Sequence, residues 1–342
     1  MSTAADPPRP AYAAAGVDVA AGDRAVDLLR RRLRGQGSDL LGGLAGFGAA
    51  LELPPGMCRP VIVTATDGVG TKTELCRLLD RWDTIGRDLV AMCADDVVCH
   101  GARPAWFLDY VAVGRVAPDR IAEVVGGIAD ACAEVGAELV GGETAEHPGL
   151  MAEDQLDLAG FCVGLVEREQ LLDGSEAQVG DVIVGLASSG LHANGYSLVR
   201  TLLADGSLAL AEDLLEPTRL YAAEVLAVLD RSRAEGWRLA GVGHVTGGGL
   251  PGNLPRSVPA ALGVEVEPRL WPVPAVIERV ARAARLSGEE MRATFNGGIG
   301  MALIVEAAAA HRAIELLHER GVPAWAIGEV VQPGGSRYRE RS

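Results

Sequence analysis

The sequence predicts a two-domain protein of α/β (α+β) class. Its 342 residues exceed what a single compact core usually holds. Short β-branched runs repeatedly break into glycine or serine turns and then into amphipathic helical patterns. A polar stretch at 168–180, with Asp173-Gly174-Ser175 and Gly180-Asp181, divides the chain. We therefore expect a loose tail over 1–10, an N-terminal domain over 11–170, a C-terminal domain over 171–335 and a polar tail over 336–342.

The first half is organised around residues 61–72. Val61 to Thr66 reads as a buried strand, which then breaks into Asp67, Gly68 and Gly70. A carboxylate at a strand end offers hard oxygen ligands suited to Mg²⁺, and the Gly68/Gly70 backbone can approach phosphate oxygens closely. Lys72 is the only lysine in the chain, every other long basic side chain being arginine. A compact ammonium on a phosphate is not equivalently replaced by a guanidinium. The plain alternative is a chance survivor on a solvated loop. Two familiar phosphate loops are excluded, because Thr71 stands where a Walker A loop needs its second glycine and Thr73 where a dinucleotide fingerprint needs its third.

Before this segment, a helix is expected from about Asp23 to Arg34. The glycine-dense run Gly42-Gly43 to Phe47-Gly48 cannot be a helix interior. It is either a flexible linker or, given its Leu and Phe, a packed loop approaching a ligand. After it, helices are expected over Thr73–Arg81 and Ile85–Cys99. Adjacent Asp95 and Asp96 inside the second, otherwise apolar, call for compensation by a cation shared with Asp67 or by salt bridges. Phe107–Val113 reads as a strand, and a helix opens at Pro118 and closes at Gly136. Leu139-Val-Gly141-Gly142-Glu143-Thr144 repeats the pattern of a strand ending in glycines and a carboxylate. Phe161–Val166 is the last strand of this half.

The second half opens with strand Val182–Ala187 and the turn Ser188-Ser189-Gly190-Leu191-His192-Ala193-Asn194. A helix starting near Tyr196 makes this turn a candidate anion site. A helix is expected over Glu216–Asp230, with Pro217 at its start. His244-Val-Thr246-Gly247 leads a second glycine-rich turn. Strands at Leu262–Val266, Met301–Val305 and Trp325–Val330 alternate with helices at 273–286 and 308–320, and Asn296 precedes one of them.

Composition narrows the class. A formal net charge of −15 leaves no basic face for nucleic acid. No apolar run is long enough for a membrane span, and the N-terminus lacks the pattern of a signal peptide. Six cysteines without a Cys-x-x-Cys pair read as buried free thiols in a cytoplasmic protein.

Taken together, these segments resemble the phosphoribosylformylglycinamidine cyclo-ligase (aminoimidazole ribonucleotide synthetase) family. The resemblance rests on Ala15-Gly-Val-Asp18, Gly42-Gly43 to Phe47-Gly48, Thr66-Asp-Gly-Val-Gly-Thr-Lys72, Asp83-Thr-Ile-Gly86 and Leu89-Val-Ala-Met-Cys93. It continues through Phe107-Leu-Asp-Tyr110, Leu139 to Glu146, Ala159 to Gly164, Ser188 to Leu198, Pro217-Thr-Arg219, His244 to Gly249 and Thr294-Phe-Asn296. These run in order across nearly the whole chain. The resemblance implies a two-domain fold shared with selenophosphate synthetase, thiamin-monophosphate kinase and formylglycinamide ribonucleotide amidotransferase. In that fold the N-terminal sheets of two subunits pair, so a homodimer is implied. It also implies Mg²⁺- and ATP-dependent conversion of formylglycinamidine ribonucleotide to 5-aminoimidazole ribonucleotide in purine biosynthesis, with release of ADP and phosphate.

On that reading ATP phosphorylates the formyl amide oxygen and the amidine nitrogen of the same molecule closes the ring. Such chemistry asks for positioning, metal and backbone amides. Mg²⁺ is expected on Asp67, Asp96 and Glu143, and the nucleotide on Asp67, Gly68, Gly70, Thr71, Lys72, Asp95, Asp96, Gly141, Gly142 and Glu143. Substrate is expected on Gly42, Gly43, Ser188, Ser189, Gly190, His192, Asn194, Thr246, Gly247 and Asn296. His192, then His244, are the candidates for moving the amidine proton, or for donating a neutral hydrogen bond. The chain departs from the family at Ala13 and Arg30, where lysines are usual, at Asp95, often Asn, and at Gly297, often Cys or Met. The first two weaken the case for an N-terminal lysine on ATP. The alternatives are another ATP-using enzyme of this fold or a catalytically silent nucleotide-binding regulator.

Overall fold

The structure, a computed structural model, describes Arg24, residues 40–41 and residues 48–341. The N-terminal tail, the first expected helix apart from Arg24, Gly42 and Gly43 lie outside the described residues. A short antiparallel pair, β1 (Leu40–Leu41) and β2 (Ala50–Leu51), precedes the first sheet.

The first sheet contains β3 (Pro60–Gly68), β4 (Arg103–Val113), β5 (Glu138–Glu146) and β6 (Leu156–Glu167), in the order β3-β6-β4-β5. Only β4 and β5 run parallel. Three helices accompany it: α1 (Lys72–Leu79), α2 (Ile85–Val98) and α3 (Pro118–Val135). Strand alternation divides the faces. Val63, Ala65, Phe107, Val111, Leu158 and Cys162 join the core under α2, whose apolar residues are buried almost without interruption. The opposite face leaves Ile62, Tyr110 and Phe161 exposed. Gly86 lets α2 and α3 touch, since a Cβ there would lie 2.4 Å from the Ile128 amide nitrogen.

The second sheet contains β7 (Val182–Ala187), β8 (Leu239–His244), β9 (Gly263–Val266), β10 (Ile299–Val305), β11 (Ala324–Val331) and β12 (Tyr338–Glu340). Its order is β12-β9-β11-β7-β10-β8, mixed because β12 runs parallel to β9. The helices here are α4 (Tyr196–Ala204), α5 (Ala222–Glu235), α6 (Gly249–Asn253), α7 (Ala275–Ala283), α8 (Gly288–Thr294) and α9 (Ala310–Glu319). Strand β10 is buried at every residue and carries the apolar run expected of a central strand. The polar stretch at 168–180 lies between the two sheets in sequence.

Two expectations are corrected and one strand is added. The helix expected from Glu216 begins only at Ala222, because buried groups of the other half hold the preceding backbone: Lys72 takes the Glu216 carbonyl, Asp88 the Thr218 amide and Asp95 the Tyr221 amide. Leu239–His244 is a fully buried strand despite Gly241 and Gly243, and a Cβ on Gly241 would meet the Ser257 carbonyl at 2.3 Å. Within the expected polar tail, Tyr338–Glu340 form β12, tied down by Arg292 to Glu340 and by Arg341 to Glu265 and Glu329.

Candidate functional site

The edge strand β3 of the first sheet and the edge strand β8 of the second face one another across a cleft of about 290 Å³. Thr64, Thr66, Asp96, His244, Asn253 and Arg256 are among its lining residues. A larger hollow of about 720 Å³ sits at the other end of the first sheet, around Met57, Trp106 and Leu165. Carboxylates and an imidazole converge at the smaller one, with Asp96 and His244 in its wall.

Asp67 reaches this region from the end of β3, and Asp96 from the exposed flank of α2. Burial first, and then the Asp96 charge, raise the Asp67 carboxyl above its ordinary 3.8, against the Gly68 amide and His244. The Gly68 amide donates to Asp67 Oδ1 at 2.7 Å. His244 closes β8 with Nδ1 2.9 Å from Asp96 Oδ1. Burial pulls the imidazole down, but the bond to Asp96 and the charges of Asp95, Asp96 and Asp67 outweigh it, and the net shift is upward from 6.5. Its Nε2 is buried without a partner. Arg256 brings a cation to the same cleft and donates to Asn253 Oδ1 at 3.1 Å.

Asp95 points the other way. It is fully buried, accepts from the Tyr221 amide at 3.0 Å and is pushed up to about 7 by burial. Its Oδ1 ties the two halves of the chain together, and its Oδ2 is buried without a partner. Asp67 and Asp96 fit Mg²⁺, which commonly keeps its waters and takes one or two carboxylates together with substrate phosphates. Among the described residues no three acidic, histidine or cysteine side chains form a closed metal cage.

Within one chain Glu143 lies apart from them. The register runs Gly68–Ala159–Tyr110–Glu143 across all four strands, which places Glu143 about 14 Å from the end of β3 at the usual strand spacing. Gly141 and Gly142 are strand residues here, and a Cβ on Gly142 would lie 1.8 Å from Asp109 Oδ1. Gly142 makes room for Asp109, whereas a Cβ on Gly141 would meet only Leu108 at 3.8 Å. Gly70, at φ +53° with open space around it, and Thr71, with an unpartnered hydroxyl, remain at the start of α1 beside Asp67.

Lys72 is corrected most sharply. It is fully buried, and its ammonium donates to Asp88 Oδ1 at 2.8 Å, the His192 carbonyl at 3.0 Å and the Glu216 carbonyl at 2.9 Å. Three donors meet three acceptors, so none is left for phosphate. His192 is also fully buried, with Nε2 accepting from the Ser189 amide at 3.2 Å. Burial first, then His244, Lys72 and Arg219, hold its pKa well below 6.5. The ring braces the turn through Nε2, while its Nδ1 is buried without a partner.

The other substrate candidates are engaged in shaping the turns. Asn296 donates to the Gly190 carbonyl at 2.7 Å, and the Ser189 hydroxyl donates to the Pro217 carbonyl at 2.7 Å. Ser188 keeps a buried hydroxyl without a partner. Asn194 lies beside Gly247, whose Cβ would be 3.6 Å from Asn194 Oδ1. The Thr246 carbonyl accepts from the Gly249 amide at 3.0 Å. Sequence reasoning passed over Asp88 and Arg256. Asp88 is hidden in an amphipathic pattern where acids are ordinary, whereas Pro255-Arg256-Ser257, following a glycine-rich turn, was the available signal for Arg256.

Comparison with known proteins agrees with this architecture. The family described as AIR synthase related protein, N-terminal domain, matches residues 49–166, and its C-terminal domain counterpart matches residues 178–339. A phosphoribosylformylglycinamidine cyclo-ligase from Thermosynechococcus vestitus is 46% identical over 95% of this chain and 97% of its own. The enzyme of that name from Geobacillus kaustophilus is 45% identical over 96% and 97%. Among solved structures, thiamine-monophosphate kinase from Stenotrophomonas maltophilia superposes with a TM-score of 0.66 at 21% identity, covering 93% of this chain and 95% of that one. E. coli HypE superposes with a TM-score of 0.69 at 18% identity, covering 94% of each chain. At such identities the structural likeness concerns the fold alone. Among the described residues no helix is long and apolar enough to cross a membrane.

Proposed function

The chain belongs to the phosphoribosylformylglycinamidine cyclo-ligase family, and is a ligase of purine biosynthesis; we propose that its reaction takes place in the cleft between β3 and β8. The substrate is formylglycinamidine ribonucleotide, and ATP is the co-substrate. The formyl amide oxygen is a poor leaving group until it carries the γ-phosphoryl group. The amidine nitrogen then attacks the activated carbon, the carbon–oxygen bond breaks, and phosphate leaves as the imidazole ring forms. Ring closure within one molecule gains from positioning, and phosphoryl transfer gains from fixed charge.

Asp67 and the outer oxygen of Asp96 are the residues that would hold Mg²⁺, whose charge would offset that of the triphosphate. The Gly70 and Thr71 amides at the start of α1 would face phosphate oxygens. His244, held by Asp96, is placed to take the proton lost by the amidine nitrogen at Nε2, and Arg256 to balance a phosphate. The observation that carries this reading is the Asp96–His244 pair lining the cleft, with Asp67 near enough for its carboxyl to feel both charges.

The exposed face of the first sheet, with Ile62, Tyr110 and Phe161 on one side, supports pairing of two subunits through that face. A homodimer in the cytoplasm, without nucleic-acid or membrane partners, is the assembly that fits. The test is substrate-dependent release of ADP by the purified protein with ATP and Mg²⁺, following the aminoimidazole product by diazotisation. Turnover lost in Asp67→Asn supports the reading, and ATP hydrolysis indifferent to the ribonucleotide overturns it.

A further inference from the structure

Lys72 stands one residue beyond the Asp67–Thr71 turn, yet two of its three acceptors belong to the second half of the chain. We propose that Lys72 is a positioning residue whose ammonium clamps the His192 and Glu216 carbonyls, locking the Ser188–Asn194 turn against the Asp67–Thr71 turn and so setting the geometry of the reactive cleft. This inference rests on the functional reading above.

The clamp is built from both sides. Asp88 Oδ1, on α2, accepts from Lys72 at 2.8 Å, from the Thr218 amide at 2.8 Å and from the Thr218 hydroxyl at 2.5 Å. Neither Lys72 nor Asp88 has any exposed surface, and the Tyr196 ring lies 5.5 Å from the ammonium. The two loops it grips are also joined to each other, through the Ser189 hydroxyl and the Pro217 carbonyl. His192 sits at φ +62°, a left-handed backbone that a non-glycine residue keeps only when its surroundings over-determine it. The Lys72 bond to its carbonyl and the Ser189 bond to its ring supply that determination.

The clamp also accounts for the single lysine. A tetrahedral ammonium offers three donors in a compact volume, which three converging oxygens satisfy. A planar guanidinium is larger, carries five donors and does not fit a site with no exposed surface. Elsewhere in the chain arginine serves every long basic role.

The test separates clamp from bulk stability. Hydrogen exchange is measured on wild type, Lys72→Met, Lys72→Arg and Asp88→Asn, together with kcat and KM for ATP and ribonucleotide. In the variants, exchange should rise at least about tenfold at the 188–192 and 216–221 amides, while the amides of β7 and β10 stay protected. The kcat should fall about 100-fold, the scale of a misplacement near 1 Å, with smaller changes in KM. Lys72→Arg should not restore either quantity, although it keeps the charge. Wild-type exchange in those two segments, or wild-type kcat in a folded variant, overturns the proposal, as does rescue by Lys72→Arg. If Lys72→Met does not fold, Asp88→Asn, which keeps an acceptor for Thr218, decides. Absence of turnover in the wild type would count against the functional reading, whereas the exchange pattern would still judge the clamp.

Discussion

Asp96 and His244 join the two halves of the protein, with Asp96 Oδ1 of α2 2.9 Å from His244 Nδ1 at the end of β8. The bond fixes which imidazole nitrogen carries hydrogen in the neutral ring and leaves the buried Nε2 as acceptor. His244→Gln is therefore expected to lower kcat for ring closure by about 10²–10⁴-fold. Asp96→Asn should lower it too, with added weakening of Mg²⁺ dependence. Steady-state assays at saturating ATP check this, and a His244→Gln enzyme within tenfold of wild type would refute the assignment.

His192 should behave differently. Its neutral, fully buried ring braces the Ser189 amide, and asparagine tolerates a left-handed backbone better than most residues. His192→Asn is expected to cost about 1–3 kcal/mol of stability through lost packing and hydrogen bonding. Its kcat should stay within tenfold of wild type. Urea unfolding and steady-state kinetics on the same preparation separate the two effects, and a collapse of kcat matching that of His244→Gln would return the ring to the chemistry.

Asp109 gives a pH-dependent stability. Burial raises its carboxyl to about 7 from an ordinary 3.8. Between those values the folded chain holds a proton that the unfolded chain has released, so stability falls as pH rises from about 4 to about 7. Asp109→Asn removes this loss. Its advantage over wild type should widen with pH to on the order of 4 kcal/mol at neutrality. Unfolding curves from pH 4 to 8 measure the gap, and a gap that is flat with pH contradicts it.

Gly300 lies where two buried rings meet. A Cβ there would stand 2.1 Å from Tyr221 Oη and 2.4 Å from His192 Cε1. Gly300→Ala should therefore push Tyr221 off its 2.8 Å bond to the Ala187 carbonyl and cost about 1–3 kcal/mol. Chemical denaturation tests this, and an unchanged midpoint would show that the rings yield freely.

Much of the fold was legible because its signals are local. Val61 to Thr66 carries the β-branched run of a strand, although it is a half-exposed edge and not the buried strand expected, and Pro118 and Gly136 bracket α3 as helix punctuation should. Asp67 was legible as a carboxylate at a strand end, Asp96 as an acid in an otherwise apolar helix and His244 as the head of a glycine-rich turn. What escaped depends on distance in space. Glu143 repeats the local pattern of Asp67, and only the four-strand register separates them. The uniqueness of Lys72 marked a constraint, but not whether the constraint was a phosphate or a buried clamp. Pro217 reads as a helix start, yet buried groups of the first half hold that backbone in another conformation.

The central claim is that the formyl oxygen leaves as part of phosphate. Formylglycinamidine ribonucleotide labelled with ¹⁸O at the formyl position, turned over with unlabelled ATP and Mg²⁺, tests it directly by mass spectrometry of the released phosphate. The account predicts one ¹⁸O atom in each phosphate formed. Unlabelled phosphate, with the heavy oxygen lost to water, would contradict it.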